Sequence, residues 1–438
     1  KMEFRLIPRL RSVVGLCSRR LCRLDQKFWL TSSLKDNGKK PPTRIEPPTL
    51  TDAEGALRQS LLARATLETA GGKMSILDAK RDLILRKRQA IAEAAAQKAA
   101  EQSAPPTLVD PSLPPVQKSK ETPLLEVLRE RLRLGPMPVS EYIGLALSHP
   151  KHGYYTTRSV FGPSGDFITA PEISQMFGEL VGVWCVWLWQ ALGRPGRVQI
   201  VELGPGTGTM MADVLRSIGR FRAMVGCVSV DLVEISPGLR ETQRKRLAVA
   251  SEPGAATARH DGTGILVRWH DSLFAVPVRE DTPTIILAQE FFDCMPVRQF
   301  QHTEKGWCER LVDIDTSPLG PHHLRYVLSP GPTTAAKVCL RPELVPGMPA
   351  KPGMNEGIEV SPEAWLVAQE VGRRVSVAGG AALIIDYGNN GPMPDSVQAI
   401  RAHKFAHALA EPGECDITAH VDFAALRTAA LEGHATAA

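Results

Sequence analysis

Long apolar runs are missing from this 438-residue chain. Its most apolar stretches, such as residues 181–189 and 285–288, stop well short of the roughly 20 residues that cross a bilayer, so no membrane span is expected. Cysteine supplies no framework either. The eight cysteines are scattered singly, and the close pair Cys17 and Cys22 lacks the paired His or Cys spacing of a zinc site, so reduced thiols and no metal are the expectation. Acidic side chains are scarce at the start, where residues 1–40 hold eleven Lys or Arg against three Asp or Glu. The net charge of +5 is therefore uneven: residues 1–120 carry 23 basic and 12 acidic side chains, the remainder 29 and 35.

What is present is enough apolar material, 43% of residues, for one large domain or two ordinary ones. The basic opening, interspersed with Leu, Val, Phe, Trp and serines, has the composition of a mitochondrial targeting segment over residues 1–40, or of a binding arm if it is retained. That composition points to the mitochondrial matrix. Contact with nucleic acid would be confined to this basic N-terminal region, because the acidic remainder repels phosphate. Thr51-x-x-Glu54 and Ser75-x-x-Asp78 read as capping boxes, predicting a helical hairpin extension within residues 41–102. Its first helix would run to Ala70 and stop at Gly71-Gly72, and its second would run from Ile76 to Gln102, with Lys80, Arg81, Arg86, Lys87, Arg88 and Lys98 available to a partner. Six prolines in residues 103–123 mark a linker, so the catalytic domain is expected over residues 124–438.

From there helices and strands alternate. Thr122-Pro123 predicts the start of a helix ending near Gly135, Ser140 caps a short one, and residues 172–192 read as one long apolar helix whose Trp184, Trp187 and Trp189 belong to the core. Buried-type strands follow at 198–202, 228–234, 265–269, 284–288 and 382–386, interleaved with helices such as 209–218 and 237–248. The expected class is α/β, a mainly parallel sheet covered on both faces by helices.

The first of those strands runs into Glu202-Leu-Gly204-Pro-Gly206-Thr-Gly208 and then a helix. Glycines at these positions allow a sharp bend and a close backbone approach to a ligand. The spacing is G-x-G-x-G, and Glu202 just before it would repel a pyrophosphate but attract an ammonium. A zwitterionic ligand with a positive sulfonium, S-adenosylmethionine, is favoured over a dinucleotide. Glu234 at the tip of the next strand is placed to accept two ribose hydroxyls, with Ser236-Pro237 capping the helix behind it. Asp271, after the third strand, completes the cofactor-binding set of Glu202, Gly204, Gly206, Gly208, Glu234 and Asp271.

Strand 284–288 leads into Gln289-Glu290-Phe291-Phe292-Asp293. In such a sheet the ligand crevice lies outside the carboxyl ends of the strands, so this loop should face the transferred group. One of Glu290 and Asp293 is expected to cap the following helix, leaving the other for chemistry.

The chain resembles the MidA family of mitochondrial class I protein arginine methyltransferases over about residues 124–426. The resemblance rests on His149-Pro-x-x-Gly153-Tyr154-Tyr155, on Gly165-Asp166-Phe167 through Glu179, on the glycine turn, on Gln289 to Asp293, on Asp386-Tyr387-Gly388, and on Pro412-Gly413-x-x-Asp416-Ile-Thr418-Ala-His420-Val-Asp422-Phe423. It implies a class I, Rossmann-like methyltransferase fold. It also implies symmetric dimethylation of an arginine on the 49-kDa subunit of respiratory complex I in support of its assembly, with that subunit or other mitochondrial assembly components as partners. A guanidinium has a pKa of about 12.5–13.8 and must be oriented and drawn upon by carboxylates, for which Glu290, Asp293, Asp166 and Glu172 are the catalytic candidates. Three departures from the pattern are Gln289 in place of Asn, Asn389 in place of His, and a chain that ends soon after Phe423, which suggests a short C-terminal end. That short end, the basic N-terminal arm and the added helical hairpin keep a second expectation open, a catalytically inactive structural or assembly subunit of complex I or of the mitochondrial ribosome.

Overall fold

Val198–Leu203 (β1), Val228–Val233 (β2), Leu266–His270 (β3), Thr284–Gln289 (β4) and Gly380–Asn389 (β5) are rich in Val, Ile and Leu, and β1 and β4 are buried at all six positions. Strands without an alternating polar face must be covered on both sides. In the computed structural model they pair in parallel in the order β3-β2-β1-β4-β5, with antiparallel Thr257–His260 and Val249–Ala250 beyond β3 and Met2–Phe4 antiparallel to β5. The structure describes residues 2–4, 66–69, 72–75, 118–157, 169–250 and 256–437. The chain divides into two compact units, residues 35–115 and residues 116–438 with 1–34.

Helices cover both faces of the sheet. The longer helices among the described residues are Pro123–Leu132 (α1), Val139–Ser148 (α2), Gln175–Ala191 (α3), Thr209–Ile218 (α4), Pro237–Arg246 (α5), Pro362–Ala378 (α6) and Phe423–Ala437 (α7). One core packs α3 and α4 against Val198, Ile200, Val230 and Leu287; the other packs α6 and α7 against Val201, Val233, Ile286 and Ala382. Alternate residues of the same strands thus serve opposite cores, as the two-residue period of a strand requires. Asp231 is wholly buried in β2, where desolvation would penalise its charge. Hydrogen bonds from His270, Arg268 and Gln199 outweigh that burial and hold its carboxyl down to about 2.

Between β4 and β5 the chain inserts an antiparallel sheet in the order Leu324–Leu328, Gly306–Ile314, Arg298–Thr303, Gly357–Val360. It shares a third core with α1 and α2 through Val312, Leu324, Leu125 and Tyr142. This layer leaves directly from the loop after β4, and so sits at the end of the sheet where the ligand crevice is expected.

Several local expectations need correction. Ser174 is extended (φ −152°, ψ 117°), so residues 172–192 are not one helix but the short Ala170–Ile173 followed by α3. Trp189 is buried, whereas Trp187 is 46% exposed and is not a core residue. Ser140 lies inside the first turn of α2, whose N-cap is Pro138 without a side-chain bond. Thr66–Thr69 and Gly72–Ser75 pair as an antiparallel hairpin, so the first capped helix does not reach Ala70; the rest of both N-terminal helices lies outside the described residues, as does most of the proline-rich linker. β-branched Thr66 and Thr69 beside two glycines favour a hairpin over a helix end. Among the described residues no helix is long and apolar enough to cross a membrane.

Candidate functional site

The strand order changes direction between β1 and β4, and the crevice there is bounded by the turn after β1. Gly204, Gly206 and Gly208 have φ of +61°, +55° and +81°, the left-handed region in which a Cβ is strained. A Cβ on Gly204 would also lie 2.9 Å from Cδ2 of Phe291. The turn therefore packs directly against the loop that follows β4. Thr207 donates its hydroxyl hydrogen to Glu172 Oε1 at 3.1 Å, which places Glu172 at the glycine turn.

Glu202, at the end of β1, is 2% exposed, and its Oε2 has no hydrogen-bond partner. Burial, with the nearby charge of Glu234, pushes its carboxyl up to about 8. A buried carboxylate oxygen left unsatisfied beside a glycine turn suits a cationic ligand, and that requirement is met by the sulfonium and ammonium of S-adenosylmethionine.

Glu234 directly follows β2 and is 6% exposed. Its Oε1 accepts the Ser236 amide at 2.8 Å and its Oε2 accepts Gln243 Nε2 at 3.1 Å. Burial raises its carboxyl to about 6 against those bonds. Arg240 donates to the Glu234 carbonyl at 2.7 Å and to Asp271 Oδ1 at 2.6 Å, tying the ends of β2 and β3 together. The Asp271 side chain is 86% exposed. Ile235 and Phe274, at the same ends of neighbouring strands, are apolar and half-exposed.

Beyond the glycine turn lies a cluster of carboxyls. Glu290 follows β4 with φ +49°, a strained backbone for a residue other than glycine, and such strain tends to collect at functional positions. Its Oε1 accepts Gln289 Nε2 at 3.0 Å and the Tyr387 hydroxyl at 3.3 Å. Asp386, wholly buried in β5, accepts the amides of Phe292 and Asp293 on Oδ2 at 2.9 and 3.3 Å, and of Tyr387 on Oδ1 at 2.8 Å. Burial lifts the Asp386 carboxyl to about 7. Asp293 is raised well above the usual range by burial and by the neighbouring Asp386, Glu290 and Asp416. Cys294 Sγ bridges Asp293 Oδ1 at 3.2 Å and the Tyr155 hydroxyl at 3.0 Å, and Tyr155 donates to Asp416 Oδ1 at 2.7 Å.

The structure thus brings Glu290 and Asp293 together and sets Glu172 at the turn; Asp166 lies outside the described residues. Sequence reasoning gave no role to Asp386, Asp416, Tyr155 or Gln243. Tyr155 is delivered by Gly153, where a Cβ would fall 2.4 Å from the His149 amide nitrogen, so the turn closes only on glycine. The available signal for Gln243 was its place on the stripe Leu239, Gln243, Leu247, where a polar residue occupies an inward position.

A family model described as "Putative S-adenosyl-L-methionine-dependent methyltransferase" matches residues 180–437. The chain belongs to this family. As a member of it, the chain is an S-adenosylmethionine-dependent methyltransferase with a Rossmann-like α/β fold. The chain is 40% identical over 309 residues to the zebrafish (Danio rerio) protein arginine methyltransferase NDUFAF7, mitochondrial, covering 67% of this chain and 68% of that one. The Homo sapiens protein of the same name is 38% identical over 316 residues, 70% of this chain and 68% of that one. Among solved structures, a methyl transfer enzyme candidate from Burkholderia thailandensis bound to S-adenosyl-homocysteine matches with a TM-score of 0.56 and 28% identity, over 71% of this chain and 76% of that one. This methyltransferase therefore shares its fold with a structure that holds the product of the cofactor.

Proposed function

We propose that this chain is a mitochondrial matrix protein arginine methyltransferase that symmetrically dimethylates an arginine of the complex I 49-kDa subunit and so supports complex I assembly. The observation that carries the reading is the convergence of Glu290, Asp293, Asp386 and Asp416 next to the glycine turn. Carboxyls that raise one another's proton affinity are relieved by a cation, and the planar fork of a guanidinium can be clamped by two of them at once. S-adenosylmethionine, when bound, supplies an electrophilic methyl group.

Guanidinium has no free lone pair at neutral pH, so a carboxylate must draw charge from the attacking nitrogen and accept the proton that methylation releases. Glu290 is the first choice, because its strained backbone aims it from the end of β4 and two donors fix one oxygen. Glu202, Glu234, Asp271 and the three glycines form the cofactor side, with Glu172 bracing Thr207. The names of the relatives support arginine as the acceptor and mitochondria as the compartment.

The test is transfer from methyl-labelled S-adenosylmethionine to the purified 49-kDa subunit, followed by acid hydrolysis and amino-acid analysis. Label in symmetric dimethylarginine is expected. Label on another amino acid, or none while the cofactor binds, overturns the arginine reading.

A further inference from the structure

Gln243 is wholly buried on α5, and its amide is fully engaged. Nε2 donates to the Gly206 carbonyl at 2.7 Å and to Glu234 Oε2 at 3.1 Å, while Oε1 accepts the indole N–H of Trp269 at 2.9 Å. An indole nitrogen can only donate, so Trp269 settles which end of the amide is oxygen and leaves both amide hydrogens for Gly206 and Glu234. Trp269 is itself held, 3% exposed, with the Arg244 guanidinium 4.0 Å over its ring. The third glycine of the turn makes room for this arrangement, since a Cβ on Gly208 would lie 3.3 Å from Gln243 Cγ.

We infer that Gln243 is a positioning residue for the cofactor, clamping the middle glycine of the turn and the carboxylate of Glu234 at a fixed separation with an amide that Trp269 orients. This rests on the reading that the turn and Glu234 hold S-adenosylmethionine. Two halves of one ligand site lie on different elements, β1 with its turn and the end of β2. A single side chain that donates to both removes their relative freedom before the ligand arrives, which lowers the cost of binding. The same amide favours the ionised form of Glu234, the form that accepts two hydroxyls. The other charged groups bearing on Glu234 are Arg240 on α5, which favours ionisation, and Glu202 on β1, which opposes it.

The test is calorimetric titration of the full chain with S-adenosylhomocysteine between pH 6 and 9, for wild type, Gln243→Met, Trp269→Phe and Glu234→Ala. Gln243→Met keeps length and loses the donors, so affinity at pH 7 should fall about ten- to hundredfold, the worth of a hydrogen bond to a charged group. Part of that loss should return toward pH 9, where Glu234 ionises without help. Trp269→Phe frees the amide to turn and should give a smaller loss with the same pH signature. It carries the test if Gln243→Met does not fold. Affinity unchanged in the folded variants, or reduced equally at every pH, overturns the inference. Unchanged affinity in Glu234→Ala instead removes the ribose assignment beneath it.

Discussion

Asp386 within β5 accepts the backbone N–H of Phe292 at 2.9 Å, across 94 residues of sequence, so the loop bearing Glu290 hangs from a neighbouring strand and not from its own. The same carboxyl accepts two further amides. Asp386→Ala strands these buried donors and should destabilise the protein by about 2–4 kcal/mol, because unsatisfied buried groups cost their full desolvation. Turnover should fall with it. Asp386→Asn keeps one acceptor oxygen and should recover part of the loss in a thermal melt; equal melting of both variants and wild type would show that the loop does not depend on this contact.

Gly204 joins the two halves of the site through the same loop. Gly204→Ala combines a left-handed backbone with a Cβ 2.9 Å from Phe291 Cδ2. The alanine should cost about 1–2 kcal/mol from the backbone alone and push the 289–293 loop outward. Cofactor affinity and turnover should both drop. Adding Phe291→Leu relieves the contact but not the backbone strain, so it should restore turnover more than stability. No difference between single and double variants in a steady-state assay would count against the contact.

The sheet was legible because five runs of buried-type residues alternate with capped helices, and α4 starts and stops at the expected residues because Gly208 and Gly219 flank it. The placement of Glu202, the glycine turn and Glu234 at or just after strand ends was legible for the same reason. What escaped notice is brought in from a distance. Asp386 and Asp416 reach Asp293 only because β5 lies beside β4 and because Asp416–Thr418 pairs with Gln398–Arg401, and no local pattern encodes either juxtaposition. The inserted antiparallel sheet was equally hidden, since its strands alternate weakly. Trp187 misled because an aromatic residue among apolar neighbours looks buried, while the helix turns it outward.

Cofactor affinity should depend on pH in a direction the site fixes. Glu234 sits at about 6 and Glu202 at about 8, both raised by burial above their values in the unfolded chain. A carboxyl raised on folding is harder to ionise in the native state, so its ionisation costs stability as pH climbs through the unfolded value toward the folded one. A positive ligand that prefers the ionised form is then bound more tightly as pH rises. S-adenosylmethionine affinity should increase from pH 5 to 8, with proton release on binding seen in buffers of different ionisation enthalpy. A flat profile would remove these carboxyls from the cofactor site.

Glu290→Gln separates chemistry from architecture most directly. The substitution keeps size, and the amide oxygen can still accept from Gln289 and the Tyr387 hydroxyl, so loop geometry should persist. What disappears is the charge that orients a guanidinium and accepts its proton. Turnover on an arginine-containing peptide should fall about a hundred- to ten-thousandfold, the span assigned to a positioned acid–base group. Affinity for S-adenosylhomocysteine should stay within about twofold, because the contacts of the glycine turn and Glu234 are untouched. Asp293→Asn is the control: burial and its acidic neighbours Asp386, Glu290 and Asp416 raise its carboxyl well above the usual range and so favour the neutral form, and replacing it with a neutral amide should cost turnover much less. If Glu290→Gln turns over at the wild-type rate while Asp293→Asn is dead, the two roles are reversed and Asp293 ionises when the acceptor arrives.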